Sequence, residues 1–169
     1  MTNATLDQIA GRKVITARVP ESPAEIAFEV YSLAREADSI RPIITTDLKM
    51  RSRQTSSNPL VVSVQDIYGN PVSGVAIDWS YVEGGGRLDA DPSTLGDQSM
   101  IETNDKGMAS LRSWTVGPLP GTHRIQAQCA AGSVTRFVQF EIPVEPQVVS
   151  IDFFKTPIPE ILRFLGRVA

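Results

Sequence analysis

The strongest constraint on this chain is a period-two alternation of apolar and polar residues, cut by glycine, proline and asparagine corners. Leu60, Val62 and Val64 alternate with Val61, Ser63 and Gln65, and Val75, Ile77, Trp79 and Tyr81 line one face of a second run. A period of two is the signature of a half-buried strand, whereas a helix repeats every 3.6 residues. The corners set the strand ends. After Asp66, Gly69 and Asn70 tolerate positive φ, and Pro71 cannot continue a central ladder. Glu83–Gly86, Asn104–Gly107 and Gly117–Gly121 mark further breaks. Short strands with tight corners between them predict an all-β antiparallel sandwich and exclude an alternating α/β fold.

The same reading assigns faces and ends. Met108 to Trp114 reads as one strand, with Met108, Ser110, Arg112 and Trp114 opposite Ala109, Leu111 and Ser113. Arg87 to Gln98 reads as a long polar loop or a weak edge strand. His123 to Cys129 and Val134 to Ile142 form a closing hairpin.

That hairpin has a partial copy at the start of the chain. Gly11, Ile15 and Ala17 align with Gly121, Ile125 and Ala127. After a two-residue slip, Ile26-Ala-Phe-Glu-Val30 aligns with Val138-Gln-Phe-Glu-Ile142, and Ser39-Ile40 with Ser150-Ile151. A spacing of about 110 residues is the length of one sandwich domain. The expected organisation is a hairpin over 1–38 that ends a preceding domain, a complete domain over 39–144, and the start of something further over 145–169.

The order of motifs in the middle segment resembles the bacterial immunoglobulin-like domains of the intimin/invasin type. The resemblance lies in Asn58-Pro-Leu-Val-Val-x-Val-x-Asp66, Gly69-Asn-Pro-Val-x-Gly-Val75, Trp79 and Gly84-Gly-Gly86. It continues through Thr103-Asn-Asp-Lys-Gly-Met-Ala109, Trp114-Thr-Val-Gly117 and Pro120-Gly-Thr-His-Arg-Ile-Gln-Ala127. It implies an Ig-like Greek-key β-sandwich, serving as a non-catalytic structural or adhesion module of a larger bacterial surface or envelope protein. Such a module is a spacer, often in tandem, or presents a binding surface to a protein or glycan partner. The resemblance brings no catalytic residues.

The end of the chain reads differently. Val149, Ile151 and Phe153 alternate, Thr156 and Pro157 suit a helix start, and Ile158, Ile161, Leu162, Leu165 and Val168 recur at helical spacing. The expectation is a strand and a short amphipathic C-terminal helix. Three readings stay open: the helix caps the sandwich, Ser150-Ile151 starts another Ig-like domain, or the segment opens a different one. In the last case Val149 to Leu165 is similar to the first strand and helix of the small periplasmic domain of secretins and TonB-dependent transporters. That likeness implies the alternative function, a periplasmic segment of a secretion or transport assembly.

Composition removes most chemistries. With one His and one Cys, a His/Cys zinc cluster and an intrachain disulfide framework cannot be built. A net charge of -3 argues against a nucleic-acid partner. No apolar run approaches the length of a membrane-spanning helix, so no direct membrane insertion is expected. The N-terminus lacks the basic and apolar regions of a secretory signal, and the expectation is a fragment of a larger extracellular or envelope protein.

His123, beside the Gly121 corner and with no nucleophile elbow nearby, reads as structural or solvent-facing. Cys129 shares the parity of Ile125 and Ala127 and reads as a buried thiol, with an intermolecular disulfide as the alternative. Asp89, Asp91 and Asp97 supply oxygen ligands but lack the EF-hand spacing, which favours a solvated loop over a calcium site. Asp66 reads as an acceptor for backbone N–H groups of its corner. Lys49, Arg51 and Arg53 read as a solvated edge, and Trp79 and Trp114 as core. No catalytic, cofactor or metal residue is therefore assigned, and the ligand-binding residues stay unknown. The expected partners are neighbouring Ig-like domains and, through an exposed hairpin edge, a strand-swapped second copy.

Overall fold

The computed structural model describes residues 5–18, 20–21, 23–43, 48–56, 58–88 and 98–147. The expected C-terminal strand and helix, and Asp89, Asp91 and Asp97, lie outside the described residues.

Every regular element described is a strand. In chain order they are β1 (Gly11–Arg18), β2 (Glu25–Ser32), β3 (Ser39–Ile43), β4 (Met50–Arg51), β5 (Thr55–Ser56), β6 (Leu60–Gln65) and β7 (Ala76–Glu83). There follow β8 (Gly86–Leu88), β9 (Gln98–Glu102), β10 (Met108–Leu111), β11 (Trp114–Val116), β12 (Gly121–Ala131) and β13 (Val134–Glu145). β1 and β2 form a sheet of their own. The others fall into the orders β10-β6-β3, β5-β11-β8 and β4-β13-β12-β7-β9. Since β5 leads directly into β6 and β10 into β11, the two three-stranded groups continue each other across a bend.

One core joins these groups to the five-stranded sheet. Leu60, Val62, Val64, Ala109, Leu111 and Trp114 enter it from one side, and Ile77, Trp79, Ile125, Ala127, Phe140 and Ile142 from the other. The expected alternation of β6 holds residue by residue, with Leu60, Val62 and Val64 buried. Trp79 stacks on Phe140 with ring centroids 5.8 Å apart, a geometry worth about 1 kcal/mol beyond burial.

Two expectations change. Met108 to Trp114 is not one strand: the ladder breaks at Arg112-Ser113, and Ala109, Leu111, Trp114 and Val116 are all buried. Two residues outside the ladder shift the parity and turn Trp114 inward, where its Nε1 donates to Asn58 O at 3.0 Å. Next, the pairing is not wholly antiparallel. β4 runs parallel to β13 through Val144↔Met50 and Glu145↔Arg51, because the chain changes sheets between β3 and β4. At the start of the Arg87–Gln98 stretch the edge-strand alternative holds, since β8 lies at the edge of its sheet. β8 pairs with β11, and Leu88 is fully buried opposite Trp114.

The glycine corner before β8 has a packing reason. A Cβ on Gly84 would fall inside the His123 ring, and one on Gly86 would meet Thr115 O, which accepts a 2.7 Å hydrogen bond from Tyr81 Oη.

Candidate functional site

The polar group that ties distant parts of the chain together sits at the corner after β6. Asp66 and Asn70 are both buried. Asp66 Oδ1 accepts from the backbone N–H of Tyr68 at 2.9 Å and of Asn70 at 2.8 Å. Its Oδ2 accepts from Asn70 Nδ2 at 2.8 Å and from the N–H of Arg35 at 3.0 Å. Asn70 extends the group to the other side: Oδ1 accepts from Ala10 N at 2.8 Å, and Nδ2 donates to Gln8 O at 2.8 Å. Two side chains of one turn thus hold the segment leading into the β1–β2 hairpin and the segment leaving it.

Contacts around this clasp reinforce it. Ser32 Oγ donates to Ile9 O at 2.9 Å and closes the base of the hairpin. The Arg35 guanidinium lies 5.2 Å from the centre of the Tyr68 ring. Asp38 N donates to Gln65 O at 2.9 Å, and Arg136 Nε donates to Asp38 O at 3.1 Å. A shallow groove of about 680 Å³ runs between Arg35–Asp38, Ile67 and the Ala131–Ser133 turn. A second, of about 460 Å³, separates Ser32–Ala34 from Pro71–Ser73.

Burial pushes the Asp66 carboxyl up, but the Asn70 amide and the N–H groups of Arg35, Asn70 and Tyr68 outweigh it and lower its pKa to about 2. Four donors on one carboxylate favour the charged form more than desolvation disfavours it. Asp66 was legible as a corner acceptor. Its hold on Arg35, and Asn70's hold on Gln8 and Ala10, were not, because those partners are 31 to 62 residues away. The signal in Asp66-x-x-Gly-Asn-Pro71 is Asn70, whose amide has a second N–H and a carbonyl beyond its bond to Asp66.

The other candidates are scattered. His123 is buried; its Nε2 lies 2.8 Å from Leu119 O, and its Nδ1 is buried without a partner. Cys129 is a buried free thiol, and burial pushes its pKa up, away from the reactive thiolate. Lys49 lies 3.2 Å from Glu145 on the exposed edge, and Arg53 turns the chain there with φ 61°. Trp79 and Trp114 are fully buried. Among the described residues no group of three or more His, Cys, Asp or Glu is placed to hold a metal ion.

The clasp lies at one end of the sheets, and β13, the last described strand, ends at the other. The Ala131–Ser133 turn borders the Arg35–Asp38 segment, and β13 then runs from Val134 to Glu145, roughly 36 Å at the rise of a strand. At the far end Ser52 N donates to Glu145 O at 2.9 Å.

No protein-family model matches the chain, and no curated protein matches it. Solved structures similar to it include domains 1–6 of the surface-layer protein SbsC, at 14% identity and a TM-score of 0.39, covering 83% of this chain and 17% of that one. Another is the D00-D0 domain of intimin, at 13% identity and a TM-score of 0.41, covering 69% and 56%. A third is SbsC domains 4 and 5, at 14% identity and a TM-score of 0.41, covering 82% and 59%. The chain spans less than two thirds of each of these structures.

Proposed function

We propose that this chain is a non-catalytic, Ig-like spacer module of a larger bacterial surface or envelope protein. The carrying observation is the distance along the sheets between the clasp and the last described strand end, Glu145. The segments on either side of the β1–β2 hairpin are clasped at one end of the sheets, and β13 runs from that end to the other. A module built so adds its full length to an extended protein.

Topology supports the Ig-like reading. A sheet of β3, β5/β6, β10/β11 and β8 faces one of β4, β13, β12, β7 and β9, as two sheets face each other in an immunoglobulin sandwich. The clasp supplies stiffness, since the buried Asp66–Asn70 pair fixes both hairpin segments to the corner through part-buried hydrogen bonds to Gln8, Ala10 and Arg35. The only imidazole and the only thiol are packed inside the core, which suits a mechanical role.

Backbone alignment by residual dipolar couplings tests the proposal. β1–β2 and the remaining strands should share one alignment tensor, and Asn70→Ala should separate them. Independent tumbling of the hairpin in the unaltered chain would sink the stiff-spacer reading.

A further inference from the structure

The two hairpins share more than sequence. β1–β2 pairs Gly11↔Ser32, Ile15↔Phe28 and Ala17↔Ile26; β12–β13 pairs Gly121↔Val144, Ile125↔Phe140 and Ala127↔Val138. Each aligned residue therefore meets the aligned partner. The leading glycines also match, with φ 127° at Gly11 and 130° at Gly121.

Their surroundings differ. Ile125 and Phe140 are buried, whereas Ile15 is half-buried and Phe28 53% exposed; Ile26, at 61%, is more exposed than its partly buried counterpart Val138. The outer edge of β12 is taken by β7, which sets Trp79 opposite Ala127 and over Phe140. The sheet of β1 and β2 has two strands only, so among the described residues the matching edge of β1 is open. An open edge beside a bare apolar face is half of a core.

We infer that the β1–β2 hairpin closes a second β-sheet unit, whose other strands come from polypeptide directly N-terminal to this sequence. The register states what that polypeptide supplies. One strand pairs antiparallel with β1 and brings a large aromatic residue opposite Ala17, over Phe28. An opposing sheet covers Ile15, Ile26 and Phe28. Lys13 stands where β12 has the buried His123, and it keeps its ion pair with Asp7, at 2.7 Å. A second copy of this chain fits less well, because its matching sheet already covers its own β12–β13. The inference deepens the spacer reading by naming the neighbour in the series.

The test compares the 169-residue chain with the same chain extended upstream in its reading frame by about 80 residues, a sandwich domain less its last hairpin. Amide exchange along β1 should slow at least about tenfold in the longer protein, from near-free opening to protection within a folded unit. Phe28→Ala should reverse that slowing there and change nothing in the shorter chain. Equal exchange in both proteins, or a reading frame without upstream codons, overturns the inference. So does a dimer of the shorter chain in sedimentation that Phe28→Ala dissolves, because the cover is then a second copy. The spacer reading fails separately, by a loose joint in a protein whose β1 is protected.

Discussion

Ile15 and Phe28 in the first hairpin and Ile125 and Phe140 in the second are the same residues, in the same register, on the same face. In the second hairpin they are core; in the first, Phe28 meets solvent over half its surface. What differs is the neighbourhood: β7 at the β12 edge and the β10-β6-β3 sheet across the core. Local pattern selects strand, partner and face, but the burial of a face is decided by what lies against it.

Matched substitutions sharpen this comparison. Phe140→Ala should cost about 3–5 kcal/mol through lost burial and a cavity, read by urea denaturation of the 169-residue chain. Phe28→Ala in that chain should stay within about 0.5 kcal/mol, as for a surface site. Equal losses would mean that the first hairpin is already covered.

Asp66→Ala comes next. It leaves the N–H groups of Arg35, Tyr68 and Asn70 without their acceptor, at about 1–3 kcal/mol for each that stays buried and unpaired. Exchange at Arg35 should rise with the loss, and an unchanged rate there would detach the carboxylate from the joint.

Acid should act on the same group. Its folded pKa, about 2, is depressed from 3.8, so its contribution is complete above pH 3.8 and is lost as pH falls toward 2. A titration of hairpin alignment should show loosening within that window in the native chain and none in Asp66→Asn.

The smallest effect is expected at the hairpin surface. Arg18 and Glu25 pair at 2.9 Å with largely exposed side chains. Arg18→Ala should change stability by about 0.5 kcal/mol or less, diminishing with salt. A larger loss would show that charges, and not the β1–β2 ladder, hold the hairpin.

Much of this was legible beforehand. Alternation placed β6 and β7 and their inward residues, and the Gly11/Gly121 repeat gave both hairpins before any pairing was known. The break at Arg112-Ser113 was not legible, because neither residue is a glycine or a proline and the bend depends on β5 and β8 pairing with β11. The parallel β4–β13 pair was missed for a similar reason: Met50-Arg51 is too short to show a period. At the site, Asp66 was found by its corner, whereas Gln8, Ala10 and Arg35 meet Asp66 and Asn70 through backbone atoms, which no side-chain pattern marks.

By itself the sequence determined strand, corner and hairpin, since steric limits on φ and the two-residue pleat act between neighbours in the chain. The tertiary structure decided which faces are buried and which residues meet Asp66. Burial and long-range hydrogen bonds depend on segments that approach only after the sheets have formed, and among the described residues none lies over Ile26 and Phe28 of β2.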